Sequence, residues 1–117
     1  MQRVTTTQRV FITALTVALV TVLPGVARSQ DAAHGQKVYA AQKCGVCHSI
    51  AGKGGKSSPL DGVGAKLSAD DIRQWIVDPV AMAKKSSSTK KPPMPAKYGK
   101  LPAADLDALV AYMQSLK

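Results

Sequence analysis

The chain has 117 residues, enough for one domain, and only 4% of them are aromatic, so its own side chains offer little bulk for a core. Two cysteines and two histidines leave no second ligand pair for a zinc site. Sixteen basic residues against seven acidic ones give a formal net charge of +9, a balance that suits nucleic acid, anionic lipid or an acidic protein.

The first 29 residues read as a secretory signal. Arg3 and Arg9 supply the positive start, and residues 10–23 are uncharged and mostly apolar. Pro24-Gly25 breaks the run, and Ala27-Arg28-Ser29 places small residues where a signal peptidase inspects them, with cleavage expected after Ser29. The alternative is an uncleaved membrane anchor, but this apolar run is short against the roughly 20 residues that a spanning helix needs. The mature domain would be residues 30–117. Removing Arg3, Arg9 and Arg28 leaves 13 basic residues against 7 acidic, and the only phenylalanine, Phe11, leaves with the leader. A domain this small buries a modest fraction of its surface and usually needs a staple.

Residues 31–43 are expected to form the first helix, because Gly35, Val38, Tyr39 and Gln42 fall on one face of a 3.6-residue period. A glycine there costs about 1 kcal/mol relative to alanine, which suggests close approach of another helix. Directly after comes Cys44-Gly45-Val46-Cys47-His48, the attachment signature of a c-type haem. Both thiols sit on one turn of backbone, where each can add to a vinyl group of one porphyrin, and the adjoining imidazole becomes an axial ligand of the iron. A thioredoxin-like dithiol, half a zinc site or a structural disulfide are the other uses of such a pair. No βαβ pattern surrounds it, and a covalently fixed apolar haem would supply the staple that the composition lacks.

The glycine-rich stretch 49–64 shows no periodicity and is expected as a loop round the haem edge. Ser68-Ala69-Asp70-Asp71 has the form of a capping box opening a second helix, with Ile72, Trp75 and Ile76 on one face. Pro79 ends or kinks it. Residues 84–91, Lys-Lys-Ser-Ser-Ser-Thr-Lys-Lys, predict a mobile cationic loop. Pro92-Pro93-Met94-Pro95 follows, stiff and extended. Pro102 suits the first position of a last helix on which Leu106, Leu109, Val110, Met113 and Leu116 repeat with helical period. No strand signal is evident, and the fold class is all-α.

An axial histidine leaves a sixth position on the iron, for which His34, Met82, Met94 and Met113 are the candidates. Met113 is most simply core, Met82 core or surface, and His34 an exposed residue ahead of its helix face. Met94 is favoured, with Met82 next: it stands in a proline-stiffened loop where no helix face requires an apolar side chain. Methionine as second ligand raises the reduction potential relative to a second histidine.

Together these features resemble the class I (mitochondrial-like) c-type cytochromes, in their small bacterial periplasmic monohaem form, over essentially all of residues 30–117. Gly35 and Tyr39 ahead of the motif, and Leu109 and Tyr112 in the last helix, are similar to the family's crossing pair of helices. Met94-Pro95 matches its ligand motif, and Pro59 stands where a proline carbonyl often accepts from the ligand imidazole. The resemblance implies a cytochrome c fold of three to four short helices around one covalent haem c, with Cys44 and Cys47 attached, His48 and Met94 on the iron, and Pro59 beside His48. Trp75 would contact the haem or a propionate, or simply pack in the core. The long loop 84–91 departs from the family pattern. The implied function is periplasmic electron transfer with iron cycling between ferric and ferrous, rather than an enzyme. The lysines beside the motif (Lys43, Lys53, Lys56) and beside Met94 (Lys90, Lys91, Lys97, Lys100) would steer acidic surfaces of redox partners such as a dehydrogenase, oxidase or reductase. Nucleic acid and stable membrane insertion are not expected, and the chain would be a monomer or a subunit of a redox complex. Alternatives are a dedicated haem subunit of a periplasmic dehydrogenase, and a haem enzyme or gas sensor with an open iron position.

Overall fold

Helix α1 runs Pro24–Ala41 in the computed structural model, which describes residues 24–117. The signal segment lies largely outside the described residues. The helix begins before the expected residue 31, and proline is tolerated there because a first-turn N–H has no intrahelical acceptor in any case. Gly35 and Val38 are buried and Tyr39 and Gln42 half-buried, so the inward face is the one its spacing predicts. The helix stops short of Lys43, which takes the left-handed conformation (φ 56°).

The glycine-rich stretch is less irregular than expected. Ser49–Ile50 (β1) and Lys53–Gly54 (β2) pair antiparallel, with Ser49 opposite Gly54 and Ile50 opposite Lys53. A two-residue pairing generates no alternating pattern for a sequence to reveal, whereas its glycine turn does. One helical turn, α2 (Val63–Lys66), follows.

Helix α3 (Ala69–Val77) starts where the capping sequence places it: the Ser68 hydroxyl accepts from the Asp71 amide at 3.1 Å and donates to the Asp71 carboxylate at 2.9 Å. Pro79 ends this helix and opens another, α4 (Pro79–Lys85). The Asp78 carboxylate accepts from the Ala81 amide at 3.0 Å, so Asp78 closes one helix and caps the next. The expected loop 84–91 is therefore helical at its start.

A short 3-10 turn, Ala96–Lys100, follows Met94-Pro95 and packs on α3, where a Cβ on Gly99 would stand 2.9 Å from the Val77 carbonyl oxygen. The last helix, α5 (Ala103–Ser115), has Pro102 as its cap rather than its first residue. It buries Leu106, Ala108, Leu109, Val110 and Met113, which join Val38, Ile72 and Ile76 in and around the core.

Helices α1 and α5 cross at Gly35. A Cβ on Gly35 would lie 1.9 Å from the Ala108 carbonyl oxygen and 2.7 Å from the Tyr112 Cβ, so only glycine allows this approach. The rings of Tyr39 and Tyr112 meet edge to face beside the crossing, centroids 5.8 Å apart. Gly64 makes an equally close approach to the end of α5, 2.2 Å from the Gln114 carbonyl oxygen for a Cβ built there. The described residues are mostly helical, in keeping with the all-α expectation.

Candidate functional site

The Cys-x-x-Cys-His segment is wound into a turn as it leaves α1. Cys44–Val46 is a 3-10 turn, and the Cys44 carbonyl accepts from both the Cys47 amide (3.2 Å) and the His48 amide (3.0 Å). The turn is held from three sides. The Gly55 amide donates to the Gly45 carbonyl at 2.8 Å, across backbone so close that a Cβ on Gly55 would stand 2.1 Å from the Val46 oxygen. The Tyr39 hydroxyl donates to the His48 carbonyl at 3.2 Å. Asp61 accepts from the Ala51 amide at 2.7 Å, fixing the tip of the hairpin.

The His48 ring is oriented by its Nδ1, which donates to a backbone carbonyl at 2.8 Å. That carbonyl is Ser58's, not Pro59's as expected. The segment runs beside the motif with the Ser58 amide on the Cys47 carbonyl (3.3 Å) and the Leu60 amide on the Ser49 carbonyl (2.9 Å). Pinned at Ser58 and Leu60, the segment turns the Ser58 oxygen toward the ring, while Pro59, with no N–H to pin, lies on the cavity wall. A carbonyl can only accept, so the proton is on Nδ1 and the lone pair on Nε2, the tautomer required of a metal ligand.

Cys44, Cys47 and His48 form one wall of a cavity of about 730 Å³, within the roughly 300–1,000 Å³ of small-molecule and cofactor sites. Ile72, Trp75 and Ile76 of α3 face it from another side, and Leu109 and Met113 of α5 form its floor. Most of the lining is apolar. The two thiols are not bridged to each other, and burial pushes the Cys44 thiol up, keeping it protonated. Burial also raises the Tyr98 phenol, and raises Tyr39 to about 12, with smaller contributions from the charges of Cys44 and Tyr112. Among the described residues no group of three or more His, Cys, Asp or Glu could hold a bare metal ion. Two sulfurs and one imidazole on one wall of an apolar cavity fit a macrocycle fixed through them.

The candidates for the second ligand are separated in space. His34 is bonded through Nε2 to Asp105 at 2.8 Å, tying α1 to α5. Met82 is buried under α4 and does not line the cavity. Met94 and Met113 both line it: Met113 belongs to the core cluster, whereas Met94 is half-buried on the extended segment between Pro93 and Pro95.

A family model described as Cytochrome c matches residues 32–117. The chain belongs to the cytochrome c family. No curated protein and no solved structure matches it. As a cytochrome c the chain carries covalent haem c, with Cys44 and Cys47 in the attachment positions, and its chemistry is haem-based electron transfer. The cavity is the place in the fold with the shape and donors for that group.

Spacing alone missed three features of this cytochrome site. The Tyr39 hydroxyl on the motif's backbone leaves no trace in helical periodicity. Tyr98 on the cavity wall stands in a 3-10 turn too short to show a period. The Ser58 carbonyl is backbone, legible only in that Ser58 precedes a proline, which biases it toward extended geometry.

Proposed function

We propose that the protein is an electron carrier with a His48/Met94-ligated haem, exported to the periplasm, and that it exchanges electrons with acidic redox proteins. The observation that carries this reading is Met94 on the cavity wall. It is the one candidate sulfur there that the helical core does not already require, and it is flanked by prolines that order the segment before any bond forms. When bound, the haem supplies a one-electron iron couple. The chain's residues do the rest. Cys44 and Cys47 anchor the group through thioethers. The Ser58 carbonyl holds the His48 ring in place and makes Nε2 a stronger donor. Apolar side chains from α3 and α5 exclude water, which favours the less charged state of the site.

Export is supported by the composition of residues 1–29; among the described residues no helix is long and apolar enough to cross a membrane. A partner of acidic character is supported by the cavity's surroundings, where Lys43, Lys90 and Lys91 are the charged residues and no carboxylate is present.

Mass spectrometry of the exported protein tests the first half, with one covalent haem and loss of the leader expected. Carbon monoxide added to the reduced protein tests the second. Slow or negligible binding is expected of a closed His/Met pair. Ready binding to the native protein would instead favour a haem enzyme or gas sensor with an open position and remove Met94 from the iron.

A further inference from the structure

The crossing of α1 and α5 accounts for the ring of Tyr39 but not for its hydroxyl. The ring meets Tyr112 edge to face, centroids 5.8 Å apart, and a phenylalanine would make the same contact. The hydroxyl donates at 3.2 Å to the carbonyl of His48, nine residues further along the chain. That bond differs in kind from the others at the motif. The carbonyls of Cys44, Gly45 and Cys47 accept from backbone amides, whereas that of His48 accepts from a side chain. On another side β2 closes on the same carbonyl: a Cβ on Gly54 would stand 2.3 Å from the His48 oxygen. The His48 peptide is therefore held between β2 and α1. The ring of the same residue is held by the Ser58 carbonyl, 2.8 Å from Nδ1. Two torsions join an imidazole to its backbone. With the peptide fixed at one end and Nδ1 at the other, neither is free to turn.

Resting on the reading that His48 ligates the iron, we infer that Tyr39 is a positioning residue for that ligand. Its hydroxyl sets the His48 peptide and, through it, the plane in which the imidazole meets the iron, and so ties that plane to the α1–α5 crossing. A ring plane fixed by the protein is the same in the ferric and the ferrous states, so less has to rearrange when an electron is passed. The bond also has an electrostatic sense. The hydroxyl hydrogen, the positive end of its dipole, is directed at the ligand residue, which favours the less positive, reduced iron.

The test compares haem-loaded Tyr39→Phe with haem-loaded Tyr112→Phe. Each removes one hydroxyl from the same pair of rings, but only that of Tyr39 is bonded to His48, and Tyr112 does not line the cavity. In the ferric protein, the hyperfine proton shifts of the four haem methyl groups report how the axial ligands are turned about the iron. Tyr39→Phe is expected to redistribute these shifts and to move the equilibrium with a redox standard toward the ferric form by about threefold. Its melting temperature should stay close to that of Tyr112→Phe, which is expected to keep the parent's methyl pattern and potential. In the unaltered protein, which needs no variant, the Tyr39 hydroxyl proton should be protected from exchange with solvent. Parent-like methyl shifts and potential in Tyr39→Phe would leave the hydroxyl no part in holding the ligand and overturn the assignment. A freely exchanging hydroxyl proton in the parent would do the same, and so would equal changes in both variants, which would place the effect in the crossing. The ligation reading fails separately: His48 ring protons without hyperfine shift in the parent would remove His48 from the iron, and the assignment with it.

Discussion

Gly35 is where a single hydrogen atom decides the packing. Alanine is the better helix former by about 1 kcal/mol, and on an isolated helix Gly35→Ala would stabilise. Here the added methyl falls 1.9 Å from a backbone oxygen of α5 that no rotamer change can move. Prising packed helices apart costs typically about 1–3 kcal/mol and more when the clash is with backbone, so the steric cost wins. The haem-loaded variant is expected to melt lower than the parent in a thermal scan. The methionines give a paired expectation. Met94→Ala should lower the reduction potential and admit carbon monoxide to the reduced protein. Met82→Ala, emptying a buried site outside the cavity lining, should leave ligation intact and lose about 2–5 kcal/mol of stability. A potential unchanged by Met94→Ala would remove it from the iron. At this scale, chemistry carried by side chains close together in sequence was legible: the haem signature spans five residues. The acceptor for His48 was misread by one residue because it is a carbonyl, which every residue has, and its aim is set by hydrogen bonds at Ser58 and Leu60.

Helices α3 and α4 present Ile72, Ile76 and Val80 to the cavity, and both are short, so their caps matter more than their propensities. Ser68 and Asp78 each satisfy an otherwise unpaired first-turn amide. Ser68→Ala and Asp78→Ala are each expected to cost about 1 kcal/mol in denaturant unfolding, with the haem absorption spectrum of the folded protein unchanged. A spectral change would mean that the caps position the ligands as well as the helices. The start of α3 was legible because a capping sequence is local. Helix α4 was not, because its seven residues end in the lysines of a low-complexity run, and composition there speaks louder than period. The β1–β2 pairing escaped for the opposite reason: it rests on backbone freedom at Gly52 (φ 75°) and Gly54 (φ 109°), and glycine reads equally as loop. Helix α5 was found almost to the residue, since five apolar positions repeat along a segment long enough to display them.

The described residues form a shell around the cofactor cavity. No side chain among the described residues is completely enclosed, and the apolar faces of α3 and α5 converge on the cavity rather than on each other alone. Small domains are stable by about 5–15 kcal/mol in total, and the apolar walls that α3 and the Met94 segment supply to the cavity of about 730 Å³ face water when no haem fills it. The chain without haem is therefore expected to lose its fixed packing on that side. The crossing of α1 and α5 is different, because it is closed by Gly35, Ala108 and the packed rings of Tyr39 and Tyr112, of which Tyr39 alone also lines the cavity. Replacing Cys44 and Cys47 together by serine, which abolishes attachment, is expected to leave helical far-ultraviolet dichroism from that pair. The same protein should lose its near-ultraviolet signal and cooperative melting and bind a hydrophobic dye. A sharp thermal transition in the haem-free double variant would show that the chain supplies its own core, and that the cofactor is lodged in the fold rather than completing it.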